Sequence, residues 1–300
     1  MKKVPTRVDG RFRLGDVLGS GAYAVVYHAQ NFLKDDLVAI NLEPIINFCS
    51  SLQHEYNILQ RLAGGVGIPR TFWFGRESTY HALVLDLLGP LCNVVNLGDQ
   101  LLSHLEYIHS HNFVHGDIKS QNILIGLNDL RHTAFIIDFG VTKEYCSTST
   151  RTHVPFHQGQ NLTGTPVFTS INSHLGVETG RHDDIESLIY TLIYLLRGSL
   201  PWLTDDHERL SSSAMLERKF ASLLIYTCSL AFSQDPDYDY LRSLLHDLHA
   251  TLPVPASYLL DFSKSYPITH APAFPDYHRV AEAMPSSPLK ATPLRKSTRV

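Results

Sequence analysis

Very little in this 300-residue chain could cross-link it or bind metal through sulfur. The four cysteines, Cys49, Cys92, Cys146 and Cys228, lie far apart and show no C-x-x-C spacing. That excludes a disulfide framework or a cysteine zinc site, and they read as free thiols in a reducing compartment. Long apolar runs are missing as well. No stretch reaches the roughly 18 residues a membrane span requires. The start, MKKVPTRVDGR, has two lysines but no apolar segment behind them, so no secretory signal is expected. Charge is also sparse: 18% of residues carry one, and the net charge is -4. Neither nucleic acid nor a membrane surface is therefore expected among the partners, and the chain is expected to act as a monomer. The sequon at Asn161-Leu162-Thr163 has no consequence in a cytosolic chain.

What the chain has is an ordinary apolar fraction of 44% and a length suited to one two-lobed domain or two small ones. Its chemistry is concentrated between Val114 and Gly140, VHGDIKSQNILIGLNDLRHTAFIIDFG. Asp117 follows His115-Gly116, and Asp138 precedes Phe139-Gly140. Between them come Lys119, Asn122 and two short apolar runs, 123–125 and 134–137. Two strands joined by a polar turn would bring both acids to the same end of a hairpin. Phosphoryl transfer needs such a grouping: a carboxylate to accept a hydroxyl proton, a cation near the moving phosphoryl group, and oxygen ligands for Mg²⁺. Taken singly, each residue is as well explained as a turn cap or a loop polar group. Together they match the pattern H-R-D-x-x-x-x-N followed by D-F-G.

The rest of the chain frames this stretch. Apolar alternation predicts strands over 12–19, 24–30 and 37–40, with Gly19-Ser20-Gly21 as a tight turn whose amides could cover phosphates. Further strands are expected at 71–74 and 81–87, the second leaving through Leu88-Gly89-Pro90 as a hinge. Helical spacing marks 51–62, 97–110, 214–232 and 240–248, and 184–196 is apolar nearly all round, which marks a buried helix. The reading of the segments is a polar arm over 1–10, a small sheet-rich lobe over 11–89, a larger helical lobe over 90–262 and a disordered tail over 263–300. That tail carries Lys290, Arg295, Lys296 and Arg299. His109, His111 and His115 have a spacing that suggests metal, but the motif frame makes His115 a structural loop residue.

With these motifs in view, the chain resembles protein kinases of the casein kinase 1 family over about residues 10–262. The marks are Val66-Gly67-Ile68-Pro69-Arg70, Trp73-Phe74-Gly75, Asp86-Leu87-Leu88-Gly89-Pro90 and Glu106-Tyr107-Ile108-His109-Ser110. Leu162-Thr163-Gly164-Thr165 with Ser170-Ile171-Asn172 stands where most kinases carry A-P-E. Asp183-Asp184-Ile185-Glu186-Ser187-Leu188 and Gly198-Ser199-Leu200-Pro201-Trp202 add to the set. The resemblance implies an α+β bilobal fold, with ATP and Mg²⁺ as cofactors and a protein Ser/Thr hydroxyl as acceptor, in the cytoplasm or the nucleus. Leu18, Val26, Ala39 and Leu124 would enclose the adenine, with backbone groups of Asp86 and Leu88 on its edge and Gly19 and Gly21 over the phosphates. Asp117 would be the base, with Lys119 beside the transferring group. Asn122 and Asp138 would hold Mg²⁺, Asp184 would anchor the catalytic loop, and Arg181 would remain of an anion site for substrate.

Several residues depart from that family. Asn41 replaces the phosphate-binding lysine of V-A-I-K, and Gly116 replaces the catalytic-loop arginine. Counting back from Gln60 puts the lysine's usual glutamate partner at Leu52, with Glu55 three residues on. On that count both members of an ion pair are missing together, and no buried charge is stranded. The segments 91–98 and 202–220 are shortened. Two functions remain: a Ser/Thr kinase weakened by the lost lysine, or an inactive relative serving as a binding or scaffold module.

Overall fold

A computed structural model describes residues 4–21, 24–45, 50–91, 97–203 and 210–251, with main chain only at 210–219 and 249–251. The tail, most of the shortened segment 91–98, and Cys49 and Cys92 lie outside these residues. The first part is a six-stranded antiparallel sheet in the order β1-β2-β3-β4-β6-β5, crossed by one helix. Its elements are β1 (Arg7–Val8), β2 (Phe12–Ser20), β3 (Val25–Asn31), β4 (Asp36–Pro44), α1 (Ser51–Arg61), β5 (Thr71–Glu77) and β6 (Tyr80–Asp86). The alternation along β4 splits its side chains. Val38, Ile40 and Leu42 join Phe12, Ala29 and Val84 in a core on one face of the sheet, while Ala39, Asn41 and Glu43 point to the other.

The second part is mostly helical: α2 (Leu97–Ser110), α3 (Ile171–His174), α4 (Arg181–Arg197), α5 (Leu210–Ser229) and α6 (Tyr238–Thr251). Two small antiparallel pairs complete it, β7 (Phe113–Val114) with β10 (Lys143–Glu144), and β8 (Ile123–Ile125) with β9 (Ala134–Ile136). A continuous core runs from Leu52 and Leu59 of α1 through Leu83 and Leu85 of β6 to α2, α4 and α6. The first thirteen residues of α4 are all buried, charged ones included, so this helix passes through the middle of the lobe. Gly198 closes it in the left-handed region at φ +76°. Among the described residues, no helix is long and apolar enough to cross a membrane.

The two parts meet at a pinned crossing. Beyond β6, the Gly89 amide donates to Ile125 O (2.8 Å) and the Ile125 amide donates back to Gly89 O (3.0 Å). The chain leaving the sheet is thereby stitched to the β8–β9 hairpin, beside Leu124.

Candidate active site

Strand register builds the sheet side of the site. Val26 stands opposite both Gly19 and Asn41, and Asn41 opposite Leu83, so these four share one row on one face. Ala39 occupies the next place on that face, opposite Leu85. Leu18 at 53% exposure, half-buried Val26 and half-buried Leu124 leave apolar surface open to an occupant. The Asp86 side chain is already committed, because Arg70 holds it in a fork with Nη2 at 2.8 Å and its amide at 2.7 Å. Asp86 and Leu88 can therefore act there only through main chain.

The hairpin register pairs Ile123 with Ile136, which puts Asp117 and Asp138 just outside the same end. Asp117 is the centre of a closed hydrogen-bond set. Lys119 Nζ donates to Asp117 Oδ2 (2.6 Å) and to Thr165 Oγ1 (2.8 Å), and the Thr165 amide donates to Asp117 Oδ1 (2.8 Å). Asn122 Nδ2 donates to Asp117 O (2.9 Å). Asp117 and Lys119 are 11% and 18% exposed at the side chain, so the pair is shielded but reachable. Gly164 must be glycine here, since at φ +85° a Cβ would lie 2.6 Å from Gly116 O.

Behind this set the loop is held from α4. Asp184 accepts the amides of His115 (2.7 Å) and Gly116 (2.8 Å) and Nε2–H of His109 (2.9 Å). Burial alone would push the Asp184 carboxyl up, but the hydrogen bonds from His109 and Gly116 outweigh it and hold it below the usual range. Burial keeps the His109 imidazole neutral, so it donates to Asp184 as a hydrogen bond rather than as an ion pair. His115 accepts the Asp117 amide at Nδ1 (3.2 Å) and donates from Nε2 to Ile137 O (3.2 Å), which fixes its tautomer. Its ring meets Phe139 edge-on at 4.9 Å. Asp138 then takes φ +68°, rare for a residue with a side chain, and its carboxylate is exposed.

A glycine-edged strand pair, a pinned crossing and two acids on one hairpin form the core of a known domain, and a family model described as Protein kinase domain matches residues 12–247. The chain belongs to the protein kinase family. It has the bilobal kinase fold, the antiparallel sheet forming the N-lobe and the helices the C-lobe. Domains of this family use ATP and Mg²⁺ and act on proteins.

The structure corrects the placing of the glutamate on α1. Leu52 is packed in the core, whereas Glu55, 5% exposed, turns to the Asp138–Phe139 segment and accepts the Phe139 amide. Residues three apart lie on one helix face, so Glu55 occupies the cleft side of α1 without any rotation. A buried carboxyl therefore stands here without the cation that would keep it ionised, because position 41 is Asn41. Burial pushes the Glu55 carboxyl up to about 8, with the negative charge of Asp138 adding to it.

Arg181 is the second correction. It is 8% exposed, pairs with Asp235, donates to Ser233 O (3.0 Å) and lies over the Tyr145 ring at 4.4 Å. Its charge is spent on packing the start of α4, so this guanidinium is not open to a substrate anion. Two useful residues lay outside the sequence reading. Thr165 enters the sequence pattern only as a mark of resemblance, and Glu43 carries no motif at all.

Proposed function

We propose that this kinase domain is a slow protein Ser/Thr kinase of casein kinase 1 type. The observation that carries the reading is the closed set around Asp117. Oδ2 of Asp117 is taken up by Lys119 and Asn122, but Oδ1 accepts only the Thr165 amide and keeps a lone pair, so Asp117 can take the proton of a Ser or Thr hydroxyl there. That oxygen then bonds to the γ-phosphorus of ATP while the bond to the β-phosphate oxygen breaks, and ADP leaves. Lys119 has a third N–H to offer an oxygen of the moving phosphoryl group.

The donors present fit Mg²⁺. With Nδ2 of Asn122 turned to Asp117, its Oδ1 is free, and Asp138 adds an exposed carboxylate. A hard cation bound through one or two protein oxygens and the phosphates needs no more. When bound it would neutralise charge on the phosphates. Adenine is assigned to Leu18, Val26, Ala39 and Leu124 with the main chain of Asp86 and Leu88, and the phosphates to Gly19 and Gly21. Asn41 can donate a hydrogen bond there but brings no charge, and losing one such group costs about 10²–10³ in rate in other enzymes. That loss is the reason for expecting slowness.

Glu55 favours a second reading. An ionisable group buried without a cation beside the metal site fits a pseudokinase that uses the fold as a binding module. Purified protein with labelled ATP, Mg²⁺ and casein separates the two. Incorporation above that of Asp138→Ala supports the kinase, and equal incorporation from both supports the module.

A further inference from the structure

In protein kinases the lysine of V-A-I-K ties the sheet to the helix by pairing with its glutamate; here Asn41 stands in its place and α1 is seated without that pair. A second acid, on β4, holds the start of that helix. Glu43 lies two residues along β4 from Asn41, on the same face, and is buried. Its carboxylate accepts the Ser51 amide (3.0 Å), the Ser51 hydroxyl (2.7 Å), the Leu52 amide (3.5 Å) and the Ser50 hydroxyl. Ser50 in turn accepts the Gln53 amide (3.2 Å) at its side chain and the His54 amide (3.4 Å) at its carbonyl. The amides of Ser51, Leu52 and Gln53, left open at the start of α1, are thus all answered by Glu43 and the serine it holds, and the His54 amide makes the first ordinary helical bond. A carboxylate at this end also meets the positive pole of the helix. Burial alone would push Glu43 up, yet the serine hydroxyls and amides bring it below its usual range, so it stays charged.

The far side of α1 is fastened to the C-lobe. His54 Nε2 donates to Thr142 O (2.7 Å), Arg61 pairs with Glu144, and the Arg61 guanidinium lies over Phe113 at 4.4 Å. Between these fastenings sits Glu55 on the Phe139 amide. We propose that Glu43 is a positioning residue that seats α1, and through it the Asp138–Phe139 segment, in the role the missing ion pair would otherwise fill. This holds whether or not the chain transfers phosphate.

Amide hydrogen exchange on the full chain, read by mass spectrometry, tests it. Glu43→Gln is expected to speed exchange about tenfold over 51–59 and 138–142, the scale of losing a helix cap, while α2 is unchanged. Adding Asn41→Lys is expected to restore most of that protection by offering Glu55, which faces the same cleft, the cation it lacks. A general structural role could not be rescued from that position. Unchanged α1, equal loosening of α1 and α2, or no rescue by Asn41→Lys would each overturn the proposal. If Glu43→Gln does not fold, Ser51→Ala removes one hydroxyl from the same carboxylate and should loosen the same two segments to a smaller extent; even exchange across the chain would overturn it equally.

Discussion

Glu55 is the residue on which the chemistry and the stability of this domain meet. Its carboxyl titrates near 8 when folded, against 4.5 for an ordinary glutamate. The folded state therefore holds a proton more tightly than the unfolded chain, so stability falls as pH rises from about 4.5 to about 8. Urea unfolding of the wild type across that range should show a loss of about 2–5 kcal/mol attributable to this group. Glu55→Gln, which keeps the shape and cannot ionise, should flatten the slope and be the more stable protein at pH 8. An unchanged slope would mean that Glu55 is solvated. If Asp117 is the proton acceptor, as proposed, Asp117→Asn should lower transfer by about 10²–10⁴. Thr165→Val frees Lys119 from one partner but leaves the Thr165 amide on Asp117, so a smaller fall, of about tenfold, is expected in the same casein assay.

At the scale of elements, α4 anchors the loop and α1 completes the cleft. Asp184 takes two main-chain amides and His109, so Asp184→Ala leaves three buried donors unmet and should cost about 3–5 kcal/mol in urea unfolding. Most of these elements could be read from the sequence. Alternation in 12–19 and 37–40, the 3.6-residue spacing in 97–110 and the all-round apolar run of 184–196 each have one physical interpretation, and the strands and helices fall there. The α1 reading failed for a specific reason. Leu52 and Glu55 lie on the same helical face, so periodicity gives the face but not which residue on it meets the cleft; that depends on how the helix is packed against the Asp138–Phe139 segment. Arg181 failed differently. A motif gives a residue's place in the chain, but its partners Asp235 and Ser233 are more than fifty positions away and carry no signature.

For the molecule as a whole, the layout of its cores separates stability from function. One core runs across both lobes beneath the cleft, and the other lies on the far face of the sheet around Ile40 and Val84. Ile40→Ala in the second should cost about 2–5 kcal/mol while leaving transfer per folded molecule unchanged, measured as activity normalised to the folded fraction. On the proposed reading, Asp117, Lys119, Asn122 and Asp138 supply the chemistry, and the residue that departs from it is Asn41, which brings no charge. The initial rate of phosphate transfer to casein, compared before and after Asn41→Lys, bears on this most directly. A low but real rate that rises by about 10²–10³ on the substitution is expected. A folded Asn41→Lys protein no faster than the parent would show that the site lacks more than its lysine.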